Sequence, residues 1–293
     1  MLNLIICILI ILTNECNAKL DAFSPFGGEE NFLPNTQENL DDCHMRYHKY
    51  GLGLEPKPAF GHPAYLKEFA HMAAIGWTQP DNSINWDCGG SLISLDYILT
   101  AAHCTLNSDN TAPDVARMGD LNLYNDTDDR FAQQLKIVDI IRHHQYSFLT
   151  RYYDIALMQL EKNIKLHDTV SPACLWIDNE VIFPKLEATG WGATGFGLGK
   201  TPILLKVTLE PVENNDCQKY HERNSKLRNG LNDDHICAGD VKMDTCPGDS
   251  GGPLQIKLMG QSRIIPYLIG VTSFGKPCGS SIPGVYTRVS SYI

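Results

Sequence analysis

From residue 71 onward the chain is written in short apolar runs kept apart by turn residues. They are HMAAIGW (71–77), SLISLDYILTA (91–101), LKIVDIIRH (135–143), DIALMQL (154–160), LLKVTLEPV (204–212), PLQIKL (253–258), YLIGVTSFG (267–275) and GVYTRV (284–289). Runs this short, rich in Val, Ile, Leu and Tyr, read as strands, and their succession is the pattern of an all-β barrel or sandwich. Only VENNDCQKYHERNSKL (212–227) reads as a short helix, and no repeat or low-complexity segment interrupts the series. A hydrophobic content of 43% against 20% charged is enough for a packed core. The net charge of −10 argues against nucleic acid as a partner, because phosphate binding needs a basic face.

The apolar run LNLIICILIIL (2–12) is too short to span a bilayer, and Cys16-Asn17-Ala18 after it has the small-residue character of a cleavage site. Residues 1–18 are therefore expected to be a signal peptide of a secreted, extracellular protein. No later segment reads as a membrane span. Residues 19–57, with Pro, Asn and Glu but no clear periodicity, read as a pro-segment. Cleavage would leave eight cysteines, at 43, 88, 104, 174, 217, 237, 246 and 278. An even count in a secreted chain implies disulfides, with 105 connectivities open to eight cysteines, and the lack of any C-x-x-C pair argues against a zinc framework. The sequon Asn125-Asp126-Thr127 fits a glycosylated surface loop.

DTCPGDSGGPL (244–254) surrounds one serine with small and turn-forming residues, which is how a hydroxyl is presented with free N–H groups nearby. Gly248-Asp249-Ser250-Gly251-Gly252 is formally G-x-S-x-G, the nucleophile elbow of α/β-hydrolases. That fold needs a histidine after the serine, and none follows residue 250. The partners must come earlier. His103 ends an apolar strand in LTAAHC (99–104), and Asp154 opens DIALMQL, a carboxylate on an apolar strand that needs a hydrogen-bonding partner. The His143-His144 pair could offer metal ligands, but an exposed pair at a strand end is the simpler reading.

LTAAHC, DIALMQL and DTCPGDSGGPL, in that order, resemble the three catalytic motifs of the chymotrypsin-like (S1) serine proteases, and the likeness runs from about residue 58 to the end. EFAHMAAIGW (68–77) and the closing TSFGKPCG and PGVYTRVSSYI further resemble the catalytic domains of insect clip-domain proteases. A clip domain itself would need six cysteines, and residues 19–57 hold one. The resemblance implies two six-stranded antiparallel β-barrels with the active site in the cleft between them. It also implies Ser250 as nucleophile, His103 as general base and acid, Asp154 as the residue fixing the imidazole tautomer, and the N–H groups of Gly248 and Ser250 as oxyanion hole. No cofactor is expected.

By the same resemblance, Asp244 falls at the floor of the primary specificity pocket and selects Arg or Lys. Gly275 and Gly284 match the pocket walls, and Ser273 and Phe274 would lie along the bound substrate backbone. The family pairs Cys88 with Cys104, Cys217 with Cys237, and Cys246 with Cys278, and parity leaves Cys43 with Cys174. The acidic residues Asp120, Asp126, Asp128 and Asp129 overlap the family's calcium loop, although a solvated acidic run is the simpler reading. Partners would be protein substrates with Arg or Lys at the cleaved bond, and protease inhibitors; the molecule would be a monomer.

Two departures bear on activity. Family zymogens are cut so that a new Ile or Val N-terminus pairs with the aspartate before the serine, here Asp249. This chain has Lys57-Pro58-Ala59-Phe60 in that place, with a poorly cleaved bond and a ring where the family has glycine. The alternative reading is therefore a non-catalytic or weakly active homologue that serves as a binding partner in a cascade. The chain also stops at VSSYI, where the family continues into a C-terminal helix.

Overall fold

Two successive sets of strands each close on themselves in this computed structural model, which describes residues 63–293 apart from 126–128, 195–198, 223, 241–244, 246–247, 261–263 and 277–281. The first set comprises β1 (Met72–Thr78), β2 (Ile84–Leu92), β3 (Tyr97–Thr100), β4 (Val115–Met118), β5 (Gln133–Arg142) and β6 (Ala156–Leu160). It is a closed antiparallel barrel in the order β1-β2-β3-β6-β5-β4, sealed by β4 on β1. The second set follows β7 (Cys174–Leu175): β8 (Leu186–Gly190), β9 (Leu205–Val212), β10 (His235–Gly239), β11 (Pro253–Met259), β12 (Ile264–Phe274) and β13 (Gly284–Arg288). Its order is β11-β8-β9-β10-β13-β12, and pairing of β11 with β12 closes the second six-stranded barrel, with β7 added parallel to β12. The expected pair of barrels is what the chain forms.

Period-two alternation explains β6, whose Ala156, Met158 and Leu160 are buried while Leu157 and Gln159 are half-exposed. β1 is buried along both faces. Ala73, Ile75 and Trp77 face the first barrel's interior, and Met72 and Ala74 join Phe69, Trp86, Trp191 and Leu204 in a separate apolar layer. This layer draws residues from both barrels, which is why HMAAIGW reads as unbroken hydrophobicity. Leu186, Leu209, Leu254 and Tyr286 are among the core of the second barrel.

Three boundaries differ from expectation. SLISLDYILTA is two strands, because the Ser94 hydroxyl accepts the N–H groups of Asp96 (3.3 Å) and Tyr97 (3.0 Å) and turns the chain between Leu92 and Tyr97. The helix α1 covers Asn214–His221 and stops short of residue 227, where Asn224 and Ser225 favour turns over helix. LKIVDIIRH extends back to Gln133. The pro-segment, Lys57 to Phe60, Cys43, Asp126, Asp128, Asp244, Cys246 and Cys278 lie outside the described residues.

Candidate active site

The strand β3 ends at Thr100, and the 3-10 turn Ala102–Thr105 that follows carries His103. Cys88 of β2 is bridged to Cys104, so the residue next to His103 is covalently tied to the barrel wall. Asp154 lies two residues before β6, which pairs with β3 through Thr100 and Ala156. That register sets the two side chains together: His103 Nδ1 lies 2.8 Å from Asp154 Oδ2, and the His103 backbone N–H donates to Oδ1 at 2.8 Å. The histidine side chain is 22% exposed and the aspartate 1%, so the imidazole opens outward while its partner is sealed in.

Ser273, expected along the substrate backbone, donates its hydroxyl to Asp154 Oδ2, and Thr287 Oγ1 donates to the Asp154 carbonyl at 2.9 Å. Sequence reasoning missed both roles, because nothing in TSFG or VYTR marks the hydroxyls as facing a carboxylate. Burial alone would raise the Asp154 carboxyl, but the imidazole beside it and the three bonds it accepts outweigh burial and hold it below the usual carboxylate range.

The serine arrives from the second barrel. Gly89 of β2 donates its N–H to the Ser250 carbonyl at 2.8 Å, and Gly251 donates to the Thr272 carbonyl at 2.8 Å. Gly251 has φ +77°, and a Cβ there would stand 2.1 Å from Thr100 Oγ1 and 2.5 Å from the Gly89 carbonyl. The turn is thus pressed against the end of the strand leading into His103, and only glycine permits that approach. Gly248 has φ +103°, with Gly192 Cα 2.9 Å from the Cβ it lacks. Among the described residues, neither the Gly248 nor the Ser250 amide donates to a protein acceptor.

The Asp249 carboxylate accepts the Gly192 N–H at 2.8 Å. A Cβ on Gly190 or Gly192 would lie within 2.1–2.7 Å of that carboxylate, so the glycines of TGWG make its berth. Gly275 is exposed, and among the described residues a Cβ on it would meet Gly284 Cα at 3.8 Å, an ordinary van der Waals distance, so the two glycines face each other closely.

Cys217 and Cys237 are bridged. Cys174 is disulfide-bonded to a cysteine outside the described residues. Asp120 is not a solvated acidic residue: it is buried, bonded by the Arg117 guanidinium, and accepts the Asn122 N–H at 2.8 Å. His143 and His144 do form a pair just past the end of β5, with ring centroids 4.6 Å apart, but only His144 is exposed; His143 is half-buried and stacks on Tyr153 at 4.9 Å. Asn125 is exposed. No described helix is long and apolar enough to cross a membrane.

The family model for trypsin matches residues 59–293. The serine protease snk of Drosophila melanogaster is 40% identical over 240 residues, covering 80% of this chain and 54% of its own. The CLIP domain-containing serine protease C9 of Anopheles gambiae is 34% identical over 82% of this chain and 65% of its own. A venom protease of Bombus pensylvanicus is 35% identical over 80% of this chain and 95% of its own. The chain thus spans about half the length of snk and somewhat under two thirds of the C9 protease.

Proposed function

Because the chain belongs to the trypsin family of serine proteases, we propose that it is a secreted endopeptidase, made as a zymogen, that hydrolyses peptide bonds after Arg or Lys. Residues 1–18 are its signal peptide, 19–57 its pro-segment and 58–293 its protease domain. Ser250 Oγ attacks the scissile carbonyl. His103 takes the serine proton through Nε2 and returns it to the leaving amine. Asp154 fixes the tautomer that leaves Nε2 free to accept, and steadies the imidazolium once it forms. The uncommitted amides of Gly248 and Ser250 receive the oxyanion, each contributing about 3 kcal/mol to lowering the barrier. Asp244 meets the substrate cation at the floor of a pocket walled by Gly275 and Gly284.

The observation that carries this reading is the double hold of Asp154 on His103, through ring and backbone together. A buried carboxylate bonded in this way has no structural need for an outward-facing imidazole. A second reading, a binding partner with little or no turnover, draws on Lys57-Pro58-Ala59-Phe60, where insertion of a new N-terminus beside Asp249 meets a proline and a ring. One experiment separates them. The mature-length protein, before and after limited proteolysis, is given amide substrates ending in Arg or Lys, together with a fluorophosphonate probe. Labelling of Ser250 with turnover supports the protease; absence of label under every condition supports the binding partner.

A further inference from the structure

Arg151 stands three residues before Asp154, in the loop leading to β6, and its backbone is fixed on both sides. Its N–H donates to the Lys226 carbonyl at 3.0 Å, and its carbonyl lies 3.2 Å from His235 Nε2. The other ring nitrogen of His235, Nδ1, accepts the Asn232 N–H at 3.3 Å, so Nε2 carries the proton and donates it to Arg151. The position of the side chain is set with comparable care. The guanidinium carbon lies 5.3 Å above the Phe274 ring, and Nε is shielded from water without a hydrogen-bond acceptor. Among the described residues Arg151 makes no ion pair. An arginine stacked on an aromatic face retains its full charge and its donors for something else.

Phe274 follows Ser273, the residue that bonds Asp154. Here one edge of β12 runs out of partners: Thr272 exchanges bonds with Gly251 and Gly252, and beyond it Phe274 pairs with Val285 of β13, with no strand on its other side among the described residues. A free strand edge beside a nucleophile is where an extended peptide adds by main-chain hydrogen bonds. An extended peptide added to this edge would run beside Phe274, over whose ring the Arg151 guanidinium lies.

We propose that Arg151, stacked on Phe274, is a specificity-determining residue that selects an acidic side chain on the acyl side of the cleaved bond, so that the preferred substrate carries Asp or Glu a short distance before its Arg or Lys. The inference rests on the triad reading above. The unmet donors of the guanidinium match a carboxylate, and such a charge-assisted bond in a partly desolvated cleft discriminates by about tenfold against the neutral amide. The carboxylate of Asp154 does not compete for Arg151, because His103 and Ser273 already occupy it.

The test uses peptides ending in one Arg, with Asp, Glu, Asn or Gln placed in turn at each of the three preceding positions. The activated full chain should cleave the acidic peptides with kcat/KM about tenfold above their amide counterparts at one position, and the ratio should shrink as salt is raised. In Arg151→Met, which retains an apolar stem over Phe274, that ratio should fall to about one. Cleavage of all peptides with no acidic preference in the wild type, or a preference that persists in Arg151→Met, overturns the proposal while leaving the protease reading intact. Binding of the same peptides to Ser250→Ala, followed by fluorescence anisotropy, reads the preference without turnover. Equal affinity for acidic and amide peptides there overturns it as well.

Discussion

The Asp154 carboxylate grips His103 at two points, with one oxygen 2.8 Å from ring Nδ1 and the other accepting the backbone N–H at 2.8 Å. Replacing one carboxylate oxygen by an amide nitrogen turns an acceptor into a donor at that point. In Asp154→Asn, an amide N–H facing Nδ1 forces the ring proton onto Nε2, where it points at the serine. Turnover should fall by about 10⁴-fold with the fold retained, and fluorophosphonate labelling should slow in parallel. Ser250→Ala should abolish both without changing the circular dichroism spectrum. An Asp154→Asn variant that labels at the parent rate would show that the tautomer is not set by this carboxylate.

Gly251 is fixed by space and backbone conformation together. With φ +77° and Thr100 Oγ1 only 2.1 Å from where a Cβ would be, Gly251→Ala should cost about 3 kcal/mol or more in urea unfolding. It should also push the serine turn off β2 and remove activity. Gly199 supplies the control, since among the described residues nothing lies within 4 Å of its absent Cβ. Gly199→Ala should stay within about 0.5 kcal/mol of wild type. Equal effects from the two substitutions would show that close packing against Thr100 is not what the turn requires.

Glu68 receives the ammonium groups of both Lys206 and Lys257, and Lys257 also reaches Glu187 at 2.8 Å. The Lys206 side chain is 5% exposed and has no other carboxylate among the described residues. Glu68→Gln should therefore cost about 3 kcal/mol at pH 7, and Glu187→Gln less, because Lys257 keeps Glu68. Burial would raise the Glu68 carboxyl, but the two lysines outweigh it and hold it below the usual range. A lowered native pKa gives stability that is fully present above the unfolded value near 4.3 and is lost as pH falls through the native value. The gap between wild type and Glu68→Gln should accordingly narrow from about pH 4 downward. A gap of constant size at pH 7 and pH 3, measured by urea unfolding, would be evidence against the ion network.

The two described disulfides close loops of similar length, with sequence separations of 16 and 20. Each should contribute about 3 kcal/mol. Their effects on activity should differ. Loss of Cys88–Cys104 frees the turn that carries His103, whereas Cys217–Cys237 ties α1 to β10. Paired Cys→Ala variants matched for temperature below unfolding should show the larger fall in kcat for the first pair. Equal falls would mean that the bridge beside His103 supports the fold alone.

Much of the site could be read in the sequence because its groups sit in contiguous motifs: His103 beside Cys104, Asp154 at the mouth of an apolar strand, Ser250 among glycines. The strands that escaped notice are β4, β7, β8 and β10, together with most of β2. Stretches such as DCGG, LEATG and HICAG fill tight barrel walls with Gly, Ala and Cys, so the hydrophobic pattern that marks a strand is faint there. The hydroxyl of Ser273 and the ion network of residues 68, 187, 206 and 257 escaped for a different reason. Their partners are separated by 119 or more residues in all but the closest pairing, Lys257 with Glu187, and only barrel closure brings them together.

His103 and Asp154 belong to one barrel and the Ser250 turn to the other, with the Phe69–Trp86–Trp191 layer between the two sets of strands. The three side chains are thus mounted on separate sets of strands, and their alignment is a property of the joint. A slip along that joint too small to melt either barrel would part the proposed nucleophile from its proposed base. On the proposed reading, heating should therefore silence the molecule by misalignment before either barrel unfolds.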